Sequence, residues 1–266
     1  MKHSTIDLLV CPKCHGGLNF QVEGGTYVEH GNLQCTGCNT FYPIEKGIPH
    51  FICSDELTGL NRRFARAYDW VSYLYRPVST IFFAFVGGEK RGRSEIVDRL
   101  EPKGGRVLEV SIGPGVNLPY LCGSQDVGEV FGLDISPGQL HRCQNYARRK
   151  HWSVDLFLGT AEQLPFKDES FESVFHIGGI NFFNDKKRAM EEMIRVAKPG
   201  TKIIIVDETE KGAMAYRQTS PGFERMFDGK RKAITVPVDL VPPTMKEIQV
   251  DFVWRGLFYL LEFRKP

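Results

Sequence analysis

The sequence predicts an α/β protein: a doubly wound, seven-stranded sheet, parallel except for a terminal antiparallel hairpin, preceded by a small metal-held ribbon. Three observations predict it. Strand-type and helix-type stretches alternate from residue 106 to residue 207, as βαβ units require. The last two apolar runs, 247–254 and 257–264, are separated only by Arg255-Gly256, a link too short for a crossover helix, so they pair as a hairpin. Four of the seven cysteines form two close pairs near the N-terminus, a metal pattern rather than a disulfide framework.

The ribbon is expected over residues 1–53. Cys11 and Cys14 form one CxxC pair, Cys35 and Cys38 a second, with 20 residues between the pairs. Two intervening residues let one tight turn present both sulfurs to one ion, and four thiolates in a tetrahedral site suit zinc. A closed four-thiolate site has no open position, so the zinc is structural, and it supplies much of the folding of so small a module. Leu18–Phe20 and Tyr27–Val28 are expected as short strands. Cys53, Cys122 and Cys143 lack paired spacing and are expected as buried thiols.

Residues 54–266 form the second unit. Its first part, 54–100, carries aromatics at helical intervals (Phe64, Tyr68, Val71, Tyr75) and is expected as a helical layer that serves as a lid. A helix over Glu89–Leu100 leads to strand 106–110. Next come a helix near 117–123, strand 129–134, helix 137–150, strand 154–158, strand 171–177, helix 185–197 and strand 201–207. Segment 210–246, with Pro237, Pro242 and Pro243, leaves the fifth strand as an excursion on the substrate side. Binding specificity resides on such loops at the carboxyl ends of strands.

The organising stretch is RVLEVSIGPGVN, residues 106–117. A buried strand runs into Glu109 and then into a loop containing Gly113 and Gly115. Nineteen residues beyond Gly115 the second strand ends in Asp134. A glycine loop at one strand tip and a carboxylate at the next hold an adenosine-containing ligand, the acid accepting from two ribose hydroxyls. A dinucleotide fingerprint places a third glycine where this chain has Leu118, which weakens the nicotinamide reading.

Composition is ordinary for a globular chain of 266 residues: 42% hydrophobic and 25% charged. A net charge of +2 and a pI near 8.1 do not by themselves argue for nucleic acid. No apolar run of membrane-spanning length occurs, and the start carries no signal-type segment, so a cytoplasmic location is expected.

Two resemblances sharpen these expectations. LLVCPKCHGGL followed by LQCTGCNTFYPIEKGIPHFI resembles the small zinc-ribbon proteins that partner and activate tRNA and protein methyltransferases. This implies a ribbon docked on a methyltransferase domain in the same chain, and a protein partner as its family role. GTAEQLPFKDESFESVFHIGGINFF followed by AMEEMIRVAKPGTKIIIVDE resembles the class I methyltransferases related to the ubiquinone/menaquinone C-methyltransferase family. This implies a Rossmann-like sheet and S-adenosyl-L-methionine as cofactor. By the resemblance, Glu109, Gly113 and Gly115 hold the methionine end, Asp134 takes the ribose hydroxyls and Ile135 lies against adenine. Ala161 and Glu162 sit at the adenine edge, Leu164 closes the pocket, and Ile177 with Gly178 borders the transfer site. The chain departs from the family in having Thr160 where an acid is usual, and Ser111-Ile112 where glycine and cysteine are frequent.

Methyl transfer from a sulfonium needs alignment of the acceptor rather than an obligatory catalytic residue. His176 and Tyr68 are the candidate bases, with Asn181 and Glu208 also near the pocket and His141 and His151 weaker. The expected function is methylation of a small, apolar, aromatic or lipid-like acceptor. Two alternatives stand beside it: an RNA methyltransferase whose ribbon docks RNA, and a non-catalytic scaffold that keeps the fold. The basic clusters Arg148–Lys150 and Lys230–Lys232 are read as solvated surface, so nucleic acid is not the favoured partner.

Overall fold

The structure is a computed structural model and describes residues 1–21, 25–52, 57–59, 61, 88–219 and 234–266. Strand-type residues form two sheets. The first is antiparallel in sequence order: β1 (Leu18–Gln21), β2 (Gly31–Cys35), β3 (Phe41–Glu45) and β4 (Ile48–Pro49). The second has seven strands: β5 (Arg106–Val110), β6 (Glu129–Asp134), β7 (Val154–Leu158), β8 (Phe171–Ile177), β9 (Ala197–Glu208), β10 (Lys246–Val253) and β11 (Phe258–Arg264). Their order across the sheet is β10-β11-β9-β8-β5-β6-β7. β5 to β9 pair in parallel, while β11 runs antiparallel to both β9 and β10. The expected fold class is borne out.

Helices pack on the sheet: α1 (Glu89–Asp98), α2 (Leu118–Leu121), α3 (Pro137–Arg149), α4 (Lys186–Val196) and α5 (Glu210–Thr219). α3 starts where Ser136 Oγ accepts the Gln139 N–H and Pro137 takes the first turn; α4 starts on Asp185 in the same way. Both caps satisfy amides that the helix leaves unpaired. Their apolar faces, Leu140 and Cys143 on α3 and Ala189, Met190 and Met193 on α4, are fully buried.

Three expectations are corrected. Tyr27–Val28 is not a strand: Tyr27 makes only an isolated bridge to Lys2, and the partner of β1 is Gly31–Cys35, with Leu33 and Cys35 buried. β9 begins at Ala197, since Lys198-Pro199-Gly200 is already extended. The excursion after β9 opens with the regular helix α5. The aromatic lid, including Tyr68 and Tyr75, lies outside the described residues, as do Cys53 and Lys230–Lys232.

The ribbon sits on the edge strand β7. Phe51 N–H donates to Leu158 O at 2.8 Å, Val10 N–H to Pro165 O at 3.1 Å and Lys167 N–H to Leu8 O at 2.8 Å. Asp155, buried on β7, accepts from the Lys2 amide at 3.0 Å and from the Thr5 hydroxyl, and Lys2 Nζ reaches Glu129 at 2.7 Å. An uncovered edge strand presents unpaired backbone groups; here the ribbon covers part of that edge. One continuous core joins the two sheets, with Leu9, Leu33, Tyr42 and Phe51 of the ribbon packed with Phe131, Phe157 and Phe166 of the larger sheet. Phe157, Phe166 and Phe171 meet edge to face with centroids 4.9 Å apart, contacts worth about 1 kcal/mol each beyond burial.

Candidate functional site

In an open parallel sheet, ligands bind at the carboxyl ends of the strands where the strand order reverses. That point lies between β5 and β8, and a cavity opens there. Its wall includes Glu109, Ser111, Gly113, Asp134, Ile135, Thr160, Ala161, Glu162, Ile177 and Gly178. Residues predicted from four separate stretches therefore converge on one space. Two predicted residues do not line it. Gly115, at φ +78°, faces protein: a Cβ there would lie 2.7 Å from Leu118 and 2.8 Å from the Cys143 sulfur. Leu164 is wholly buried beneath the loop.

The loop after β5 is built tightly. Gly113 N–H donates to Asp134 Oδ2 at 2.8 Å, and Asp134 Oδ1 accepts the Ser136 N–H at 2.9 Å. These bonds fix the carboxylate at the tip of β6. Ser111 takes φ +63°, the left-handed backbone that glycine adopts at no steric cost.

Glu109 is 1% exposed. Its Oε1 accepts from Asn117 Nδ2 at 2.5 Å; Asn117 Oδ1 accepts from Arg93 at 2.7 Å; Arg93 Nε donates to Glu89 at 2.8 Å. Among the described residues, Glu109 Oε2 has no hydrogen-bond partner. Burial pushes the carboxyl up to about 8, against the Asn117 hydrogen bond and the Arg93 charge, which favour ionisation. A buried carboxyl oxygen on a cavity wall, unpaired by the described residues, is a fitting seat for a cationic ammonium group. The chemistry of the donor set thus fits the methionine end of S-adenosylmethionine.

The wall segment 159–164 is held from both flanks. Leu164 N–H donates to buried Glu192 Oε2 at 2.8 Å, and Arg195 donates to the Leu164 and Phe166 carbonyls at 3.0 and 2.7 Å. The ribbon bonds to Leu158 on one side and to Pro165 and Lys167 on the other. Glu162 Oε1 accepts from Asn61 at 3.1 Å and from the Asn184 amide at 3.0 Å.

Beyond β8, buried Asp207 gathers the 178–182 loop. It accepts the Gly179 and Asn181 amides at 3.2 and 3.1 Å and the Asn181 side chain at 2.9 Å. Phe182 and Phe183 from this loop border the cavity, together with Glu208, Trp254, Phe258 and Arg93. Asn181, engaged by Asp207, does not line it.

His176 is fully buried and is not part of the cavity wall. Its Nδ1 lies 2.9 Å from the Val110 carbonyl, which can only accept, so Nδ1 carries the proton and Nε2 is an acceptor without a partner among the described residues. Burial lowers its pKa, opposed by Asp207, and the ring packs 5.1 Å from Phe183. Neither His141 nor His151 borders the cavity. Tyr68 lies outside the described residues.

The sequence reading missed Arg93, Asn117, Trp254 and Phe258. Asn117 stood within the organising stretch, eight residues past Glu109, but polarity alone did not mark it. Trp254, expected as the last residue of strand 247–254, instead opens the turn between β10 and β11.

In the ribbon, the ligand atoms of Cys11, Cys14, Cys35 and Cys38 all lie within 4.8 Å of one another. Cys14 and Cys35 sulfurs are 3.4 Å apart, and those of Cys11 and Cys38 3.6 Å. Four sulfurs around one tetrahedral zinc stand about 3.8 Å apart, so the donor set fits. Tyr42 OH touches the Cys11 sulfur at 3.0 Å, and its ring packs on Phe51 at 5.0 Å. Of the unpaired cysteines, Cys143 is buried and Cys122 is only half-buried.

The sheet order and the switch-point cavity, with a carboxylate at each of two strand tips, define a class I methyltransferase fold. Comparison with known proteins carries this further. Residues 108–205 match the methyltransferase domain family, and residues 2–47 match the Trm112p-like protein family. The chain thus joins a sheet of methyltransferase type to a ribbon similar to the Trm112p-like proteins, each matched over part of its length. It is 36% identical over 124 residues to demethylmenaquinone methyltransferase of Renibacterium salmoninarum, covering 46% of this chain and 49% of that one. It is 34% identical over 108 residues to phthiotriol/phenolphthiotriol dimycocerosates methyltransferase 1 of Mycobacterium ulcerans, covering 41% and 39%. The chain spans about half the length of the curated relatives it matches.

Among solved structures, an SAM-dependent methyltransferase from Thermotoga maritima superposes with a TM-score of 0.55 at 22% identity, covering 78% of this chain and all of that one. A chain from the complex of the Haloferax volcanii Trm112 activator with a methyltransferase gives 0.55 at 16%, covering 76% and 97%. The [4+2]-cyclase SpnF gives 0.56 at 17%, covering 76% and 95%. At these identities the likeness is one of fold, and a cyclase among the neighbours illustrates that fold alone does not fix the reaction. Among the described residues, no helix is long and apolar enough to cross a membrane.

Proposed function

We propose that this chain is an S-adenosylmethionine-dependent methyltransferase of a small apolar, aromatic or lipid-like acceptor. The observation that carries the proposal is Glu109: a buried carboxyl with one oxygen unpaired among the described residues, in a cavity shared with Asp134 and the wall segment 159–164. S-adenosylmethionine supplies a methyl group already activated on a sulfonium. The chain's own residues bind and orient. Glu109 receives the ammonium and Asp134 the ribose hydroxyls, while Ile135 and Ala161 flank the adenine. Glu162 and Thr160 line its edge, and Ile177 and Gly178 border the transfer site. Phe182 and Phe183 exclude water from the reacting end. His176 has no reach into the cavity wall and serves to join β8 to the Val110 carbonyl on β5.

The acceptors in the relatives' names, demethylmenaquinone and phthiotriol/phenolphthiotriol dimycocerosates, agree with the aromatic wall. We assign one structural zinc ion to Cys11, Cys14, Cys35 and Cys38, and we take the ribbon to be a brace for its own methyltransferase sheet. The protein surface that such a ribbon would offer is here β7 and the loop that follows it.

The test is direct. Titration with S-adenosylhomocysteine is expected to show saturable binding that E109A abolishes. A labelled methyl donor incubated with separate lipid, small-molecule, protein and RNA pools is expected to label an organic-extractable product. Label in RNA, with affinity falling steeply with salt, would replace the acceptor reading; no cofactor binding would remove the methyltransferase reading.

A further inference from the structure

The cavity wall extends to both sides of the switch point, one arm on each. Asp134 and Ala161 stand at the ends of β6 and β7, on one side of the switch point; Glu208 and Phe258 stand at the ends of β9 and β11, on the other. From β6 to β11 is four strand steps, about 19 Å at the usual strand spacing. If the first arm takes the adenosine end of the cofactor, as proposed above, the second is left for the acceptor.

That second arm contains a residue held in place from several sides. Trp254 takes φ +47°, Arg255 φ +58° and Gly256 φ +82°. Two consecutive non-glycine residues in left-handed backbone are not needed to turn a hairpin, for which Asn-Gly or Asp-Gly suffices, and such strain persists only where the surroundings hold it. Here they do. The indole N–H donates to Gly88 O at 3.2 Å. The indole lies against Gly92, where a Cβ would come within 2.4 Å of it, so only glycine on α1 admits it. The Arg93 guanidinium carbon sits 5.9 Å from its ring centroid. Phe258 meets it edge to face at 5.0 Å. Both rings border the cavity.

We infer that Trp254, paired with Phe258, is the specificity-determining residue of the acceptor arm and selects acceptors carrying a planar aromatic ring over saturated ones of equal size. A rigid pair of aromatic rings gives a planar acceptor offset-stacked or edge-to-face contacts that a saturated ring cannot make, while both gain the same burial. The inference rests on the methyltransferase reading above, and it places the selection on the acceptor, away from the adenosine end.

The experiment uses the full chain saturated with S-adenosylhomocysteine and two probes of nearly equal size, 1-naphthol and decahydro-1-naphthol, titrated by calorimetry. Wild type is expected to prefer 1-naphthol by about fivefold. W254L is expected to reduce that preference to about unity while leaving S-adenosylhomocysteine affinity within about threefold; W254F, which keeps a ring, is expected to retain part of it. If W254L does not fold, F258L carries the same test. Equal affinity for the two probes, binding of neither, or a preference that survives W254L and F258L would overturn the inference while leaving the cofactor reading intact. Failure of wild type to bind S-adenosylhomocysteine would overturn the reading beneath it.

Discussion

Cofactor binding should be coupled to the loss of a proton from Glu109. In the free protein the carboxyl titrates near 8, so at pH 7 about nine molecules in ten carry it protonated. An ammonium group seated on Oε2 requires the carboxylate, and binding therefore releases the proton. Below pH 8 the apparent affinity should rise nearly tenfold per pH unit, the equivalent of about 1.4 kcal/mol. Between pH 6 and pH 8 the gain is at most about fiftyfold, water entry into the cavity reducing it. Above pH 8 the gain levels off, and affinity should fall again only where the ligand's α-amino group loses its proton, which for a free amino acid lies above the 7.7–8.0 of a peptide N-terminus. Calorimetric titration with S-adenosylhomocysteine at pH 7, in buffers of different ionisation enthalpy, should report release of about 0.9 proton per complex. E109Q should bind weakly and without proton release. Stability follows the opposite sign. A carboxyl raised from 4.5 to about 8 gives stability that is full below 4.5 and lost as pH rises through 8. Free E109Q should therefore be more stable than free wild type at pH 8.5, by a few kcal/mol at most. Affinity that is flat from pH 6 to pH 8, with no proton released, would refute the ammonium seat.

Three further outcomes are expected. Chelation of the metal, or C35S, should unfold the ribbon, since a structural zinc supplies on the order of 10 kcal/mol to so small a module; hydrogen exchange should then rise in 8–52 and also in 159–167, and exchange confined to the ribbon would contradict the bracing contacts. F51D places an unpaired charge where Phe51 is 2% exposed between the two sheets and should cost about 3–5 kcal/mol in urea unfolding, whereas the exposed F41D, at 62%, should cost little. Ser111→Gly should stabilise the free protein by about 0.5–1 kcal/mol, because Ser111 sits at φ +63°; Gly115→Ala should destabilise it by more, with its Cβ driven against Leu118 and Cys143.

The larger sheet was legible because its central strands are buried on both faces. Val107, Leu108 and Val110, or Ile203 to Val206, are continuous apolar runs set between helix-type segments, and few alternatives compete for such a pattern. The β1 partner was not. Gly31–Cys35 mixes glycine, amides and a metal ligand, and its pairing comes from the register with Leu18–Gln21, whereas Tyr27–Val28 has strand-type side chains but only one bridge. Glu109, Asp134 and Ala161 could be read because each terminates a recognisable strand or follows one. Arg93 and Trp254 are 161 positions apart and are joined only when the hairpin brings the indole over α1. Leu164 was placed in the pocket because its neighbours are there; the Glu192 and Arg195 contacts that draw its backbone toward α4 have no local signature.

The ribbon's position on β7 has a stoichiometric consequence. A ribbon on a separate chain must find its methyltransferase by collision, so occupancy of the edge strand rises and falls with the concentration of both. Joined in one chain, docking becomes unimolecular, with an effective concentration on the order of millimolar for a short connection. One ribbon then serves one sheet at any dilution, and cannot be drawn away by another methyltransferase without first being displaced from Leu158, Pro165 and Lys167.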